Sequence, residues 1–167
     1  DPESYGEAGY MGAIGPEWAS AAAGPGALFK MYASEGGTRV PLILAGPGVT
    51  PQGFNNARAF VTDITPTILQ MANIDAQGGE ALDGRSLLPV LQGTESEVYP
   101  DDVAVAMELS GNAFVLKGDY KLTRNSRPEG DGAWRLYDIE KDPGETQDLS
   151  DAMPELRHSL LADYEAY

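Results

Sequence analysis

Three observations predict a mixed chain of α/β (α+β) class. The apolar run from Thr38 to Gly46 has the pattern of a buried strand, and an amphipathic segment from Thr62 to Asn73 follows it. Beyond Val103 the apolar period shortens towards two over several short segments, the mark of a small antiparallel sheet. A final stripe of Leu156, Leu160, Leu161 and Tyr164 has helical spacing and would cover that sheet.

The elements can be justified in chain order. The first 29 residues hold no Lys or Arg, and Gly and Ala dominate Gly6 to Ala27. They read as a loop packing against another part, or as a flexible tail. The segment Phe29 to Pro41 then sets a lysine, Lys30, just ahead of the turn Gly36-Gly37, which leads into the apolar run Val40 to Ala45. A strand entered in this way is buried, and the turn lies at its edge, where ligands bind. Gly46-Pro47-Gly48 ends the strand. Thr62 or Asp63 can cap the next helix, with Pro66 in its first turn, where a missing N–H costs nothing. Ile64, Ile68 and Ala72, with Leu69 and Met71 beside them, give that helix an apolar face. Gln77-Gly78-Gly79 breaks the chain, and Ser86 to Gln92 reads as a short helix.

Strand candidates follow at Val103–Leu109, Ala113–Lys117, Tyr120–Arg124 and Trp134–Ile139. The connection Gly118-Asp119 calls for a tight hairpin with glycine at positive φ. In the third strand Tyr120 and Leu122 share one face, with Lys121 and Thr123 on the other. Asn125 to Gly132 is a polar loop. Asp142-Pro143-Gly144 is a turn with φ > 0 expected at Gly144, and Ser150 or Asp151 would cap the last helix. The acidic stretch Thr94 to Asp102 divides residues 1–93, a βα portion, from residues 94–167, a small sheet with one helix.

Composition narrows the function classes. Eleven basic and 26 acidic residues give a net charge of −15, which argues against nucleic acid and anionic membrane as partners. A local cationic pocket can still take a small anion. Without cysteine there is no disulfide and no thiolate metal site. The apolar runs are too short to span a bilayer as a helix.

Few side chains present catalytic patterns. Lys30 stands beside a glycine turn, where a compact ammonium could be held against a sulfate or phosphate oxygen. Glu35 and Arg39 flank that turn and can pair to hold it, or support Lys30 from behind. His158, the only histidine, falls on the polar side of the last helix and reads as a surface residue. Asp138, Asp142, Glu145 and Asp148 have the residue types of a hard-metal site but the spacing of turn chemistry. Lys117, Lys121, Arg124, Arg127 and Arg135 concentrate positive charge around the sheet and read as its solvated face.

Several stretches resemble one family in its own order. Phe29 to Pro41 is similar to the lysine segment F-K-x-Y-x-x-E-G-G-x-R-V-P of the formylglycine-dependent sulfatases of the alkaline phosphatase superfamily. Gly15-Pro16-Glu17-Trp18-Ala19 resembles a G-P-x-W-A stretch of bacterial arylsulfatases. Asp63 to Leu69 resembles the D-I-x-P-T-L-L helix start, and Asp83 to Leu88 the D-G-x-S-L entry. Leu136 to Ile139 with Asp142 to Glu145 resembles L-Y-D-L…D-P-x-E.

The resemblance implies the C-terminal part of a sulfuric ester hydrolase: the last strands of an alkaline-phosphatase-like α/β sheet, then a four-stranded antiparallel sheet packed with a C-terminal helix. It makes Lys30 a sulfate ligand, with Glu35 and Arg39 behind it. It also implies calcium and formylglycine in the parent enzyme, but none within this chain, where C/S-x-P-x-R does not occur. The implied partners are an N-terminal catalytic portion and a sulfate ester. The chain alone is expected to be inactive. A phosphodiesterase or phosphonate monoester hydrolase of the same superfamily is the alternative enzyme, and a non-catalytic assembly domain is the alternative class. In that last case an unpaired Val40 to Ala45 strand would favour oligomers. Periplasmic or secreted location is expected over cytoplasmic.

Overall fold

The computed structural model describes residues 7–9, 12–50, 53–74 and 81–167. The break expected at Gln77-Gly78-Gly79 lies outside them. Contacts divide the chain into two units, residues 1–40 with 104–167, and residues 41–103. This grouping differs from the sequential division at 93/94. The fold class is the expected mixture of helices and an antiparallel sheet.

The first unit is built on a four-stranded meander: β1 (Val105–Leu109), β2 (Asn112–Lys117), β3 (Tyr120–Arg124) and β4 (Trp134–Asp138), in sequential antiparallel order. Short turns enforce that order. Ser110 and Gly111 both take positive φ between β1 and β2, and Gly118 takes φ 53° between β2 and β3, as its sequence required. In register, Val115 faces Leu122 and Leu122 faces Leu136. These three pack with Leu160 of the closing helix, α5 (Pro154–Ala166), and all four are fully buried. Leu156, Leu161 and Tyr164 join them from the same helix.

The reverse face of the sheet was expected in solvent, but its centre is buried too. Phe114, Lys121, Thr123 and Tyr137 are all within 8% of full burial. Alternation told which residues share a face, not what covers it.

Two further expectations change in this unit. Residues 15–23 form a helix, α1 (Gly15–Ala23), where a loop or tail was read. Proline in its first turn and the alanines of its last turns favour helix, although none of its residues is buried. The turn after β4 places positive φ at Glu145 (51°) rather than at Gly144. α5 has no side-chain cap: the Ser150 hydroxyl instead accepts from the Leu136 N–H at 3.2 Å.

The second unit carries the helix expected near 62–73 as a 3-10 turn (Val61–Asp63) running into α3 (Ile64–Met71), and then a four-residue helix, α4 (Leu88–Leu91). Its interior is partly polar. Asp63 is fully buried, and its carboxylate accepts from the N–H groups of Phe60 (2.6 Å) and Arg85 (2.8 Å) and from the Tyr99 hydroxyl. Thr67, one turn on, accepts from the Leu87 N–H at 2.8 Å and donates to the Asp63 carbonyl at 2.6 Å. A Cβ on Gly84 would lie 2.1 Å from the Thr62 carbonyl oxygen, so only glycine lets the two segments meet. The stretches 63–69 and 83–88 are therefore each other's partners. The buried side of α3 is Asp63–Thr67, whereas Ile68 and Met71 of the expected apolar face are exposed (59% and 42%).

The strand expected at Thr38–Gly46 is absent. Thr38 ends a helical turn, and residues 39–45 belong to no helix or strand; Val40 and Ile43 are 79% and 90% exposed. An apolar run becomes a strand only where another edge offers hydrogen bonds, and no described strand lies in residues 41–103. No helix among the described residues is long and apolar enough to cross a membrane.

Candidate functional site

The loop that carries Lys30 is shaped by close backbone approach. The motif Glu35-Gly36-Gly37-Thr38 forms one helical turn, α2 (Glu35–Thr38), and the preceding residues fold back on it. The Gly36 N–H donates to the Ala27 carbonyl at 2.8 Å, and the Tyr32 N–H to the Phe29 carbonyl at 3.2 Å. A Cβ on Gly36 would stand 2.3 Å from the Leu28 carbonyl oxygen, and one on Gly37 2.1 Å from that of Tyr32. The two glycines are thus required by space, not by positive φ. Positive φ falls instead on Leu28 (57°) and Met31 (92°), which bracket Phe29 and Lys30. Side chains avoid such φ values, so the loop stores strain around the lysine.

Lys30 is exposed and lines a cavity of about 170 Å³. Thr38 and Asn112 contribute polar groups to the wall; Met31, Met107 and Leu109 make much of it apolar. The chain has four lysines. Lys117 pairs with Asp163 at 3.0 Å, Lys121 with Glu35 at 2.8 Å and Lys141 with Asp138 at 2.6 Å. Among the described residues, no carboxylate pairs with Lys30.

Glu35 and Arg39 do not point to that cavity. The Arg39 guanidinium lies 3.5 Å from Glu35 but is largely exposed. The main partner of Glu35 is Lys121, whose ammonium also donates to Thr38 Oγ1 at 3.1 Å and lies 3.5 Å from Glu145 Oε1. The ammonium rests 5.0 Å from the centre of the Phe114 ring. Lys121 was read as part of a solvated face; it is 1% exposed. Glu145 accepts the Glu35 N–H at 3.2 Å, and its Oε2 is buried without a hydrogen bond. Burial pushes the Glu145 carboxyl above the usual carboxylate range, against the pull of Lys121. Nothing in the spacing of residues 35, 121 and 145 announced this cluster. The one available signal was a lysine alternating with core residues.

The remaining candidates sit apart from Lys30. His158 is exposed. Asp142 accepts the N–H groups of Thr146 (2.7 Å) and Gln147 (2.8 Å), and Asp148 accepts that of Ser150 (2.9 Å), which is turn chemistry. Arg135 pairs with Asp131 at 2.7 Å, and Arg124 stacks on Trp134 at 4.9 Å. Among the described residues, no three His, Asp or Glu side chains are grouped to hold a metal ion.

Residues 26–163 match the sequence family described as N-sulphoglucosamine sulphohydrolase, C-terminal. An uncharacterized sulfatase of Schizosaccharomyces pombe is 30% identical over 92% of this chain and 29% of its own length. A choline-sulfatase of Rhizobium meliloti is 33% identical over 75% of this chain and 24% of its own. An arylsulfatase K of Gallus gallus is 33% identical over 80% of this chain and 26% of its own. A solved structure from Bacteroides thetaiotaomicron, described with the metabolism of multiple glycosaminoglycans, superposes at a TM-score of 0.52 and 20% identity. It does so over 62% of this chain and 24% of its own, a likeness of fold. The chain thus spans roughly a quarter of the relatives it matches.

Proposed function

The chain belongs to the sulfatase family as a C-terminal portion, and on that premise we propose that Lys30 binds the sulfate group of an ester substrate in the parent enzyme. The observation that carries this reading is the pairing of the lysines. Three are neutralised by carboxylates, whereas Lys30, at a largely apolar cavity, meets none among the described residues. In a chain of net charge −15, an ammonium without a counterion is a local site for an anion. As the ester bond breaks, a fixed positive charge near the leaving oxygen stabilises the charge that develops there.

The division of labour follows from the family resemblance. Calcium and formylglycine in the parent would supply the Lewis acid and the nucleophile. This chain holds neither the C/S-x-P-x-R motif nor, among its described residues, a group of metal ligands. Its part is binding and charge neutralisation, and the 167 residues alone turn over no ester. Residues 1–93 then complete the catalytic domain, and residues 94–167 form the C-terminal subdomain.

The test is made on the full-length protein. Peptide mass spectrometry should find the aldehyde mass of formylglycine upstream of this segment, and the protein should hydrolyse an aryl sulfate while the 167-residue chain does not. A full-length protein without the aldehyde, active only on phosphate diesters, would move the assignment to a phosphodiesterase.

A further inference from the structure

Resting on the reading of Lys30 as a sulfate ligand, we infer that Asn125, with Lys121 on the same strand, is a positioning residue that fixes the Lys30 loop in its binding shape. Asn125 follows the last residue of β3, and its side chain reaches 92 positions back in sequence. Its Oδ1 accepts the Ala33 N–H at 2.7 Å, and its Nδ2 donates to Ser34 Oγ at 2.7 Å. Four residues earlier, Lys121 donates to Glu35 Oε1 and Thr38 Oγ1, at the two ends of α2. Two side chains, one near the start of β3 and one just past its end, therefore grip four residues of the segment 33–38. That segment is closed at its other side by the Gly36–Ala27 backbone bond. Lys30 and its strained neighbours Leu28 and Met31 lie inside the closed stretch.

Two physical arguments separate this from ordinary packing. A buried ammonium between two buried carboxylates loses much hydration, and apolar side chains of the same volume would hold the sheet face as well or better. Such a cluster is better suited to selecting one arrangement than to raising stability. The loop also needs selection: two residues at positive φ relax unless their surroundings hold them. The Asn125 backbone is itself held. The Gly132 N–H donates to the Asn125 carbonyl at 2.9 Å, and a Cβ on Gly130 would lie 2.1 Å from that oxygen. Neither Asn125 nor Lys121 lines the cavity beside Lys30. Their effect on an anion there must pass through the loop.

A double-mutant cycle in the full-length enzyme tests this, read as kcat/KM for an aryl sulfate and as the inhibition constant of inorganic sulfate. Asn125→Ala should lower kcat/KM by roughly 100-fold, the scale of an ångström's misplacement, and weaken sulfate inhibition. In a Lys30→Ala background the same change should do almost nothing further. Ser34→Ala removes the acceptor of the Asn125 side-chain amide together with the hydroxyl that bonds Glu145; it should show the same non-additivity at smaller size, and it decides the matter if Asn125→Ala does not fold. Full effects of these changes in the Lys30→Ala background would overturn the positioning role while leaving Lys30 a ligand. If Lys30→Ala itself changes neither quantity, the sulfate reading falls, and the positioning role with it.

Discussion

Lys30 was singled out by its place beside a glycine turn and by a resemblance in the motif around it, both of which are local. Glu145 was not, because what matters there is a neighbour 110 positions away in sequence. Its effect on stability can be predicted in sign. Burial raises the Glu145 carboxyl pKa above its ordinary 4.5, so the native state holds that proton more tightly than the unfolded chain. The stability this group contributes is full below pH 4.5 and is lost as pH rises through the raised value. Glu145→Gln keeps an oxygen for the Glu35 N–H and leaves Lys121 paired with Glu35 alone. The variant should match or exceed the parent in urea denaturation at pH 7.5 and lose that advantage at pH 4. A variant clearly weaker at pH 7.5 than at pH 4, relative to the parent, would show that the ionised form is the stabilising one. Lys121 marks the same limit from the other side. Alternation set it opposite Leu122 correctly, but the cover over that face comes from residues 29–38, remote in sequence.

Among the elements, the sheet and its helix were readable because their signals are local: two-residue turns, alternation, and the stripe Leu156, Leu160, Leu161, Tyr164. The run Val40 to Ala45 misled because strand formation depends on a partner that sequence pattern does not supply. The opening helix Gly15–Ala23 was missed because small residues were taken as a sign of loop, although alanine is the best helix former. The glycines of α2 were noticed as a turn signal, but their role is close approach. Gly37→Ala should therefore cost about 2 kcal/mol by forcing the loop from α2, visible as a lower urea midpoint. A midpoint unchanged by that substitution would mean that the loop can step back without loss. In the second unit, the motifs 63–69 and 83–88 were read separately, and the structure joins them through one carboxylate. Asp63→Ala strands the Phe60 and Arg85 N–H groups and the Tyr99 hydroxyl at a buried position. The expected loss is about 3 kcal/mol, with the equilibrium unfolding curve as the check.

For the whole molecule, charge and apolar exposure oppose each other. The net charge of −15 keeps copies apart, while Val40, Leu42 and Ile43 leave at least half of their surface in solvent. The isolated chain should associate as salt screens the charge, with a mass by light scattering that rises with concentration at 0.5 M NaCl, roughly five times the ionic strength at which screening reaches 10 Å. Ile43→Lys should hold it monomeric; association undiminished by that change would place the contact elsewhere. The measurement that bears most directly on the account is made at Lys30 in the full-length protein: kcat/KM for an aryl sulfate, with the urea midpoint as control. Lys30→Ala should lower kcat/KM by about 100-fold, the scale of losing one group that stabilises developing charge. Because Lys30 is exposed, the midpoint should stay where it is. An unchanged kcat/KM with the fold intact would contradict the proposal that this chain supplies a sulfate-binding cation.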